Sequence, residues 1–184
     1  MYQKRLHILH ILIEGDGDKV FFDELMKPLL KKGYSQIILR KYSELINEGI
    51  NRYIDAIGKA GNDYIFVTDI DKSPCISGKK QERMAEFNSI KDKNRIIVVV
   101  KKIESWYTAG FSDDKYKEFG IKSPNDTTES GRGLFSNLLI KRRQKSNLIS
   151  DIDFMKEILK NFDIETAKQR NTSFNYFVSK YCLG

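Results

Sequence analysis

The sequence predicts an α/β protein: a parallel sheet of about four strands flanked by helices, followed by a C-terminal helical extension. Three observations lead there. Four apolar runs rich in β-branched residues recur at 6–13, 36–42, 64–68 and 95–100. Segments with helical spacing separate them, and beyond residue 100 only helical patterns follow. Strands alternating with helices imply parallel pairing through right-handed crossovers.

The run at 6–13 is continuously apolar apart from His7 and His10, as expected of a strand covered on both faces. Residues 20–30 carry Val20, Phe21, Leu25 and Leu29 at helical spacing, with Pro28 set to kink or end the helix and Gly33 to close it. A second strand at 36–42 precedes a helix at 45–57, whose Leu45, Ile46, Ile50, Tyr53, Ile54 and Ile57 are expected on one side. The third strand, 64–68, leads to a helix at 81–90 and the fourth strand at 95–100. A short helical stretch opens at Glu104, and 111–126 reads as a polar connection. Helices are then expected at 134–143, 152–162 and 174–183. Residues 1–110 would form the core, with 111–184 packed on it rather than folding alone.

Composition narrows the function classes. The chain has 184 residues, 40% apolar and 31% charged, which suits one globular domain with an elaboration. Its net charge of +7 is spread evenly, with 19 basic against 15 acidic residues up to position 110 and 13 against 10 after it. Such a balance permits phosphate contacts with nucleic acid without requiring them. Cys75 and Cys182 are isolated, so neither a zinc site nor a disulfide framework is expected, and a reducing cytoplasm is the simple inference. No apolar run approaches a membrane span, and the N-terminus lacks a small-residue cleavage site, so it reads as a first strand.

Against that positive background, acids gather where strands end. Glu14 ends the first apolar run within EGDGD (14–18), and Asp69-Ile70-Asp71 follows the third. In a parallel sheet the strand ends share one crevice, and clustered carboxylates repel each other unless a cation joins them. Alternate residues of an extended segment project to one side, so Asp69 and Asp71 can reach one ion. Magnesium takes such oxygen ligands, and two ions about 3.5–4 Å apart would clamp a phosphodiester displacement. The bland alternatives are an acidic helix N-terminus at Asp16 and Asp18 and two solvated acids in a loop.

An apolar strand ending in EGxxD, then α/β units, then an apolar strand ending in DxD, resembles the TOPRIM domain shared by topoisomerases, bacterial primases, ribosomal-RNA maturases and OLD-family nucleases. The resemblance covers roughly residues 6–110 and rests on motif order. It implies a TOPRIM-like sheet and a Mg2+ (or Mn2+) site at Glu14, Asp69 and Asp71, with Asp18 as the further acid of the OLD-type pattern. Glu104 in KKIESWYTAG matches the acid that OLD-like members place after the next strand. The segment resembles the strand-to-ESW passage of small stand-alone bacterial members. Lys168 in AKQRN matches their late basic residue. The expected activity is metal-dependent endonucleolytic cleavage of DNA or RNA, with Glu14 as general base or ligand and Asp69 and Asp71 as principal ligands. The chain has no room for the tyrosine or zinc-ribbon domains of topoisomerases and primases. It has no GxxxxGK[ST] loop, so an ATPase would be a separate chain, in defence against foreign nucleic acid. Self-association stays open, and a membrane is not an expected partner.

Other residues are weighed similarly. Lys101, Lys102 and Lys168 could stabilise charge on a pentacovalent phosphate, or be surface lysines. Lys141, Arg142, Arg143 and Lys145 form the densest basic run, suited either to a nucleic-acid backbone or to a helix C-terminus. His7 and His10, three apart on a strand, point to opposite faces and cannot share a metal. Trp106 is expected in the core. Two alternatives to a nuclease are carried: a non-enzymatic TOPRIM-derived binding subunit, and a haloacid-dehalogenase-like phosphatase, because TDIDKS contains DxDx[S/T] after a strand. In the latter family that motif normally follows the first strand.

Overall fold

The computed structural model describes residues 7–30, 33–145 and 149–182. Leu6 and Leu183, expected to begin the first strand and end the last helix, lie outside the described residues. The chain gathers into two compact units: one reaches Thr68 and resumes over Lys72–Val98, and the other joins Asp69–Asp71 to the chain from Val99 onward.

Four strands form one all-parallel sheet: β1 (Ile8–Ile13), β2 (Gln36–Lys41), β3 (Asp63–Asp69) and β4 (Ile96–Val99), in the order β2-β1-β3-β4. The α/β expectation is met. Leu9 pairs with Ile37 on one side and Asp63 on the other. β1 is paired along both edges, and Leu9, Ile11, Leu12 and Ile13 are fully buried, as expected of a strand covered on both faces.

The first crossover runs through α1 (Asp16–Phe21), a π-helical turn (Phe22–Met26) and α2 (Lys27–Leu30). Pro28 explains the irregularity. It lacks an N–H and crowds the carbonyl four residues back, and the chain widens just before it, with the Lys27 N–H bonded to the Phe22 carbonyl. The helix is therefore interrupted rather than ended. α3 (Asn47–Lys59) buries Ile50, Ile54 and Ile57 as its spacing predicts. Ile46 instead precedes the helix and is 69% exposed. α4 (Ile76–Glu86) begins ahead of the expected position 81, because Cys75 caps it, its Sγ accepting from the Gly78 N–H.

In the second unit the helices are α5 (Glu104–Ala109), α6 (Asp113–Glu118), α7 (Gly133–Lys145), α8 (Asp151–Leu159), α9 (Ile164–Arg170) and α10 (Thr172–Tyr181). The second unit's own packing starts at Val99, ahead of the boundary expected at 110. α6 and α9 are short and carry no long apolar stripe. Only their caps announce them: Ser112 accepts from the Lys115 N–H and Asp163 from the Thr166 N–H. Trp106 is fully buried beside Phe174 and Phe177, as expected of a core residue. Burying each such ring stabilises the unit by about 1.5–3 kcal/mol.

That core contains a satisfied polar network. Asn171 Nδ2 donates to Ser105 Oγ and Thr127 Oγ1, each at 3.2 Å. Its Oδ1 accepts from Ser173 Oγ and from the Phe174 N–H, so it also caps α10. Ser173 Oγ in turn accepts from Trp106 Nε1 at 2.8 Å and from the Val100 N–H. Among the described residues no buried side-chain nitrogen or oxygen lacks a partner.

Candidate active site

In the first unit Glu14 leaves the end of β1 and enters a turn closed by its neighbours. Tyr42, just past β2, donates its hydroxyl to Glu14 Oε2 at 3.1 Å, and Ser43 Oγ donates to the Glu14 carbonyl. Burial first, and then the negative charge of Glu14, push the Tyr42 phenol well above its ordinary range, so it remains a neutral donor. The ring stacks on Phe66 with centroids 4.6 Å apart, which fixes the direction of the hydroxyl. Asp18 is buried, and its Oδ2 accepts from the Gly15 N–H at 3.0 Å, the reach-back half of a helix cap. Lys41 bridges Asp16 and Glu44 at 2.9 and 2.8 Å. Arg83, in α4, donates from Nε to Thr68 Oγ1 at 3.1 Å.

Asp69 and Asp71 belong to the second unit. There the Lys102 Nζ lies 3.0 Å from Asp69 Oδ2 and 2.9 Å from Asp71 Oδ1. Partial burial works against the ammonium. The hydrogen bonds to Asp71 and Asp69 outweigh it and raise Lys102 above the usual lysine range. The backbone is shaped for this meeting. Among the described residues, Asp71 at φ 51° and Lys101 at φ 63° are the non-glycine residues in the left-handed region, and the Ile70 N–H donates to the Val99 carbonyl at 2.9 Å. Left-handed backbone is tolerable for Asp and costly for Lys, about 1–2 kcal/mol.

Glu104 opens α5 nearly buried, with Arg132 Nε 3.5 Å from its Oε1; Arg132 also holds Asp151 at 2.6 Å. Lys101 pairs with Glu129 and Lys168 with Glu165. Most of the basic run has partners inside the unit. Arg142 Nε reaches both Glu157 oxygens at 2.9 and 3.0 Å, Arg143 holds the Ile149 carbonyl and Asp151, and Lys145 donates to the Glu118 carbonyl and covers the Phe119 ring. Lys141 is exposed. His10 bonds Tyr53 Oη at 2.8 Å through Nδ1, while His7 is exposed and uses its carbonyl to accept from Ser35.

Tyr42, Arg83 and Arg132 were not singled out by sequence reasoning. A basic residue or a tyrosine becomes informative only once its partner distant in sequence (Glu14 for Tyr42, Thr68 for Arg83, Glu104 for Arg132) is known to be adjacent.

Among the described residues no three His, Cys, Asp or Glu side chains are grouped to hold a metal ion. The Asp69–Asp71 pair nonetheless has the donor chemistry of a magnesium or manganese site. Such ions are commonly held by one or two carboxylates with water and substrate phosphate completing the shell. No helix of the described residues is long and apolar enough to cross a membrane. No family model, curated protein or solved structure matches the chain.

Proposed function

We propose that the chain is a TOPRIM-like, Mg2+- or Mn2+-dependent nuclease that cleaves phosphodiester bonds of DNA or RNA. The observation that carries this reading is the convergence of Asp69 Oδ2 and Asp71 Oδ1 on a single cationic atom, at 3.0 and 2.9 Å. Two carboxylates that share one cation are placed to share another. A bound divalent ion would supply charge neutralisation on the phosphate and a more acidic water. Asp69 and Asp71 would be its principal ligands, with Asp18 and Glu104 as further acids.

Glu14 would act as general base or ligand. Tyr42 orients its carboxylate by donating one hydrogen bond to Oε2, which leaves Oε1 to take a proton. Lys102 and Lys168 remain the lysines for stabilising the developing charge. Nucleic acid is the expected partner, with a separate ATPase chain as a further one.

A second reading, a non-enzymatic binding subunit, is favoured by the internal partners of Asp18 and Glu104, which act as a cap and an ion pair here. Cleavage of plasmid, single-stranded DNA and structured RNA with Mg2+ or Mn2+, compared with Asp69→Asn and Asp71→Asn, separates the readings. Metal-dependent cleavage lost in both variants supports the nuclease. Binding without cleavage supports the subunit, and hydrolysis of a small phosphomonoester alone would replace both with a phosphatase.

A further inference from the structure

Lys102 is not an incidental surface lysine. It projects from the segment after β4 to two carboxylates separated from it by some thirty positions, and both contacts fall at hydrogen-bond length. Its neighbour Lys101 adopts left-handed backbone, which a lysine does not choose, and Asp71 does the same on the facing segment. The Ile70 N–H to Val99 carbonyl bond ties the two segments together between these points. The chain thus bears local backbone cost while presenting one ammonium to one pair of acids.

We propose that Lys102 is the resident counter-ion of the Asp69–Asp71 pair, and that a divalent cation enters this pair by displacing it. The inference rests on the metal-dependent reading above and concerns how that site is regulated. A divalent ion held by these two carboxylates would compete for the space the ammonium fills. Two cations that close also repel. Occupation by one therefore excludes the other. Lys102 places one positive charge on the pair, so metal binding begins against a competitor tethered at high effective concentration. The side chain is 43% exposed, against 11% for Asp69, so the ammonium has solvent to swing into while the carboxylate stays fixed. Displacement leaves a positive charge beside the ion rather than on it.

Mn2+ binding to the full chain, followed by the loss of the free-ion electron paramagnetic signal and by calorimetry, tests this without any substrate. Lys102→Met should bind Mn2+ about three- to tenfold more tightly than wild type, the scale of one partly exposed ion pair forgone. Lys101→Met removes the same charge next door, but its partner is Glu129, so its affinity should match wild type. Circular dichroism and thermal melting check the fold, and Lys102→Gln serves as a second variant should the methionine disturb it. Equal or weaker binding by the Lys102 variants, with wild type binding Mn2+, overturns the displacement and leaves the metal reading standing. Equal tightening in Lys101→Met attributes the effect to the general field and also overturns it. No Mn2+ binding by any of these proteins removes both proposals.

Discussion

Asn171 donates to Ser105 across 66 positions of sequence, with both side chains fully buried. The bond joins the cap of α10 to the helix that begins with Glu104, and Thr127 and Ser173 complete the same network. A buried network with every member satisfied is rigid, and losing its hub strands several partners together.

Asn171→Ala should therefore cost more than a typical cap. The cap alone is worth about 1 kcal/mol, and stranded buried partners add about 1–3 kcal/mol. Urea unfolding should show a loss of about 2–4 kcal/mol, with Asn171→Asp intermediate. A loss below 1 kcal/mol would mean that water replaces the amide.

Asp69→Asn and Asp71→Asn should change stability little, by about 1 kcal/mol or less, because each gives up one arm of a pair whose lysine is 43% exposed. The sequence alone suggested relief of carboxylate repulsion. Lys102 already provides much of that relief, so no marked stabilisation is expected. Millimolar Mg2+ should raise the melting temperature of the wild type and not of either variant.

Which parts were legible beforehand follows from how local their causes are. β1 is announced by an apolar run interrupted only by histidine and β4 by an unbroken one, and the faces of α3 by isoleucines at helical spacing. Asp69 and Asp71 stand out because they end a strand, which is a one-dimensional fact. The partners of those acids are different. Tyr42 meets Glu14 across 28 positions and Lys102 meets Asp71 across 31, through pairings that no short window contains. α6 and α9 fell below notice because one or two turns cannot display a periodicity, and the π turn because Pro28 looks the same whether a helix stops or bulges.

His10 should make the first unit acid-sensitive. Burial lowers its pKa below the ordinary 6.5, so as pH falls the unfolded chain takes up the proton first. The stability owed to the neutral ring is present above pH 6.5, is lost as pH drops through 6.5 towards the folded pKa, and levels off below it. His10→Gln keeps a polar partner for Tyr53 without titrating. Its unfolding free energy should fall less between pH 7.5 and 5 than that of wild type; parallel curves would show that His10 contributes nothing to the slope.

Charge reversal in the basic run should act on the fold as well as on binding. Arg142→Glu places a carboxylate against Glu157, where two hydrogen bonds stood, and should lower the urea midpoint of unfolding relative to wild type. Lys141→Gln, at an exposed position, should cost nothing measurable. If the run follows a nucleic-acid backbone, Lys141→Gln alone should reduce the salt slope of binding by about one counterion. An unchanged slope assigns the run to structure.

Residues 69–71 belong to the unit whose remaining members begin at Val99. During synthesis they leave the ribosome long before the partners they need. At about 5–20 residues per second, Val99 and Lys102 follow after roughly 1.5–6 s, and the chain that contains α5 to α10 takes roughly 4–16 s more. β3 can pair with β1 in that interval, while its last residue and the two that follow wait for Val99 and Lys102. The Asp69–Asp71 pair is thus assembled late, and chain ends truncated before residue 102 would carry both acids with no lysine between them. Between nascent chains stalled at 98 and at 184, protection of the Ile70 amide should appear only in the longer one.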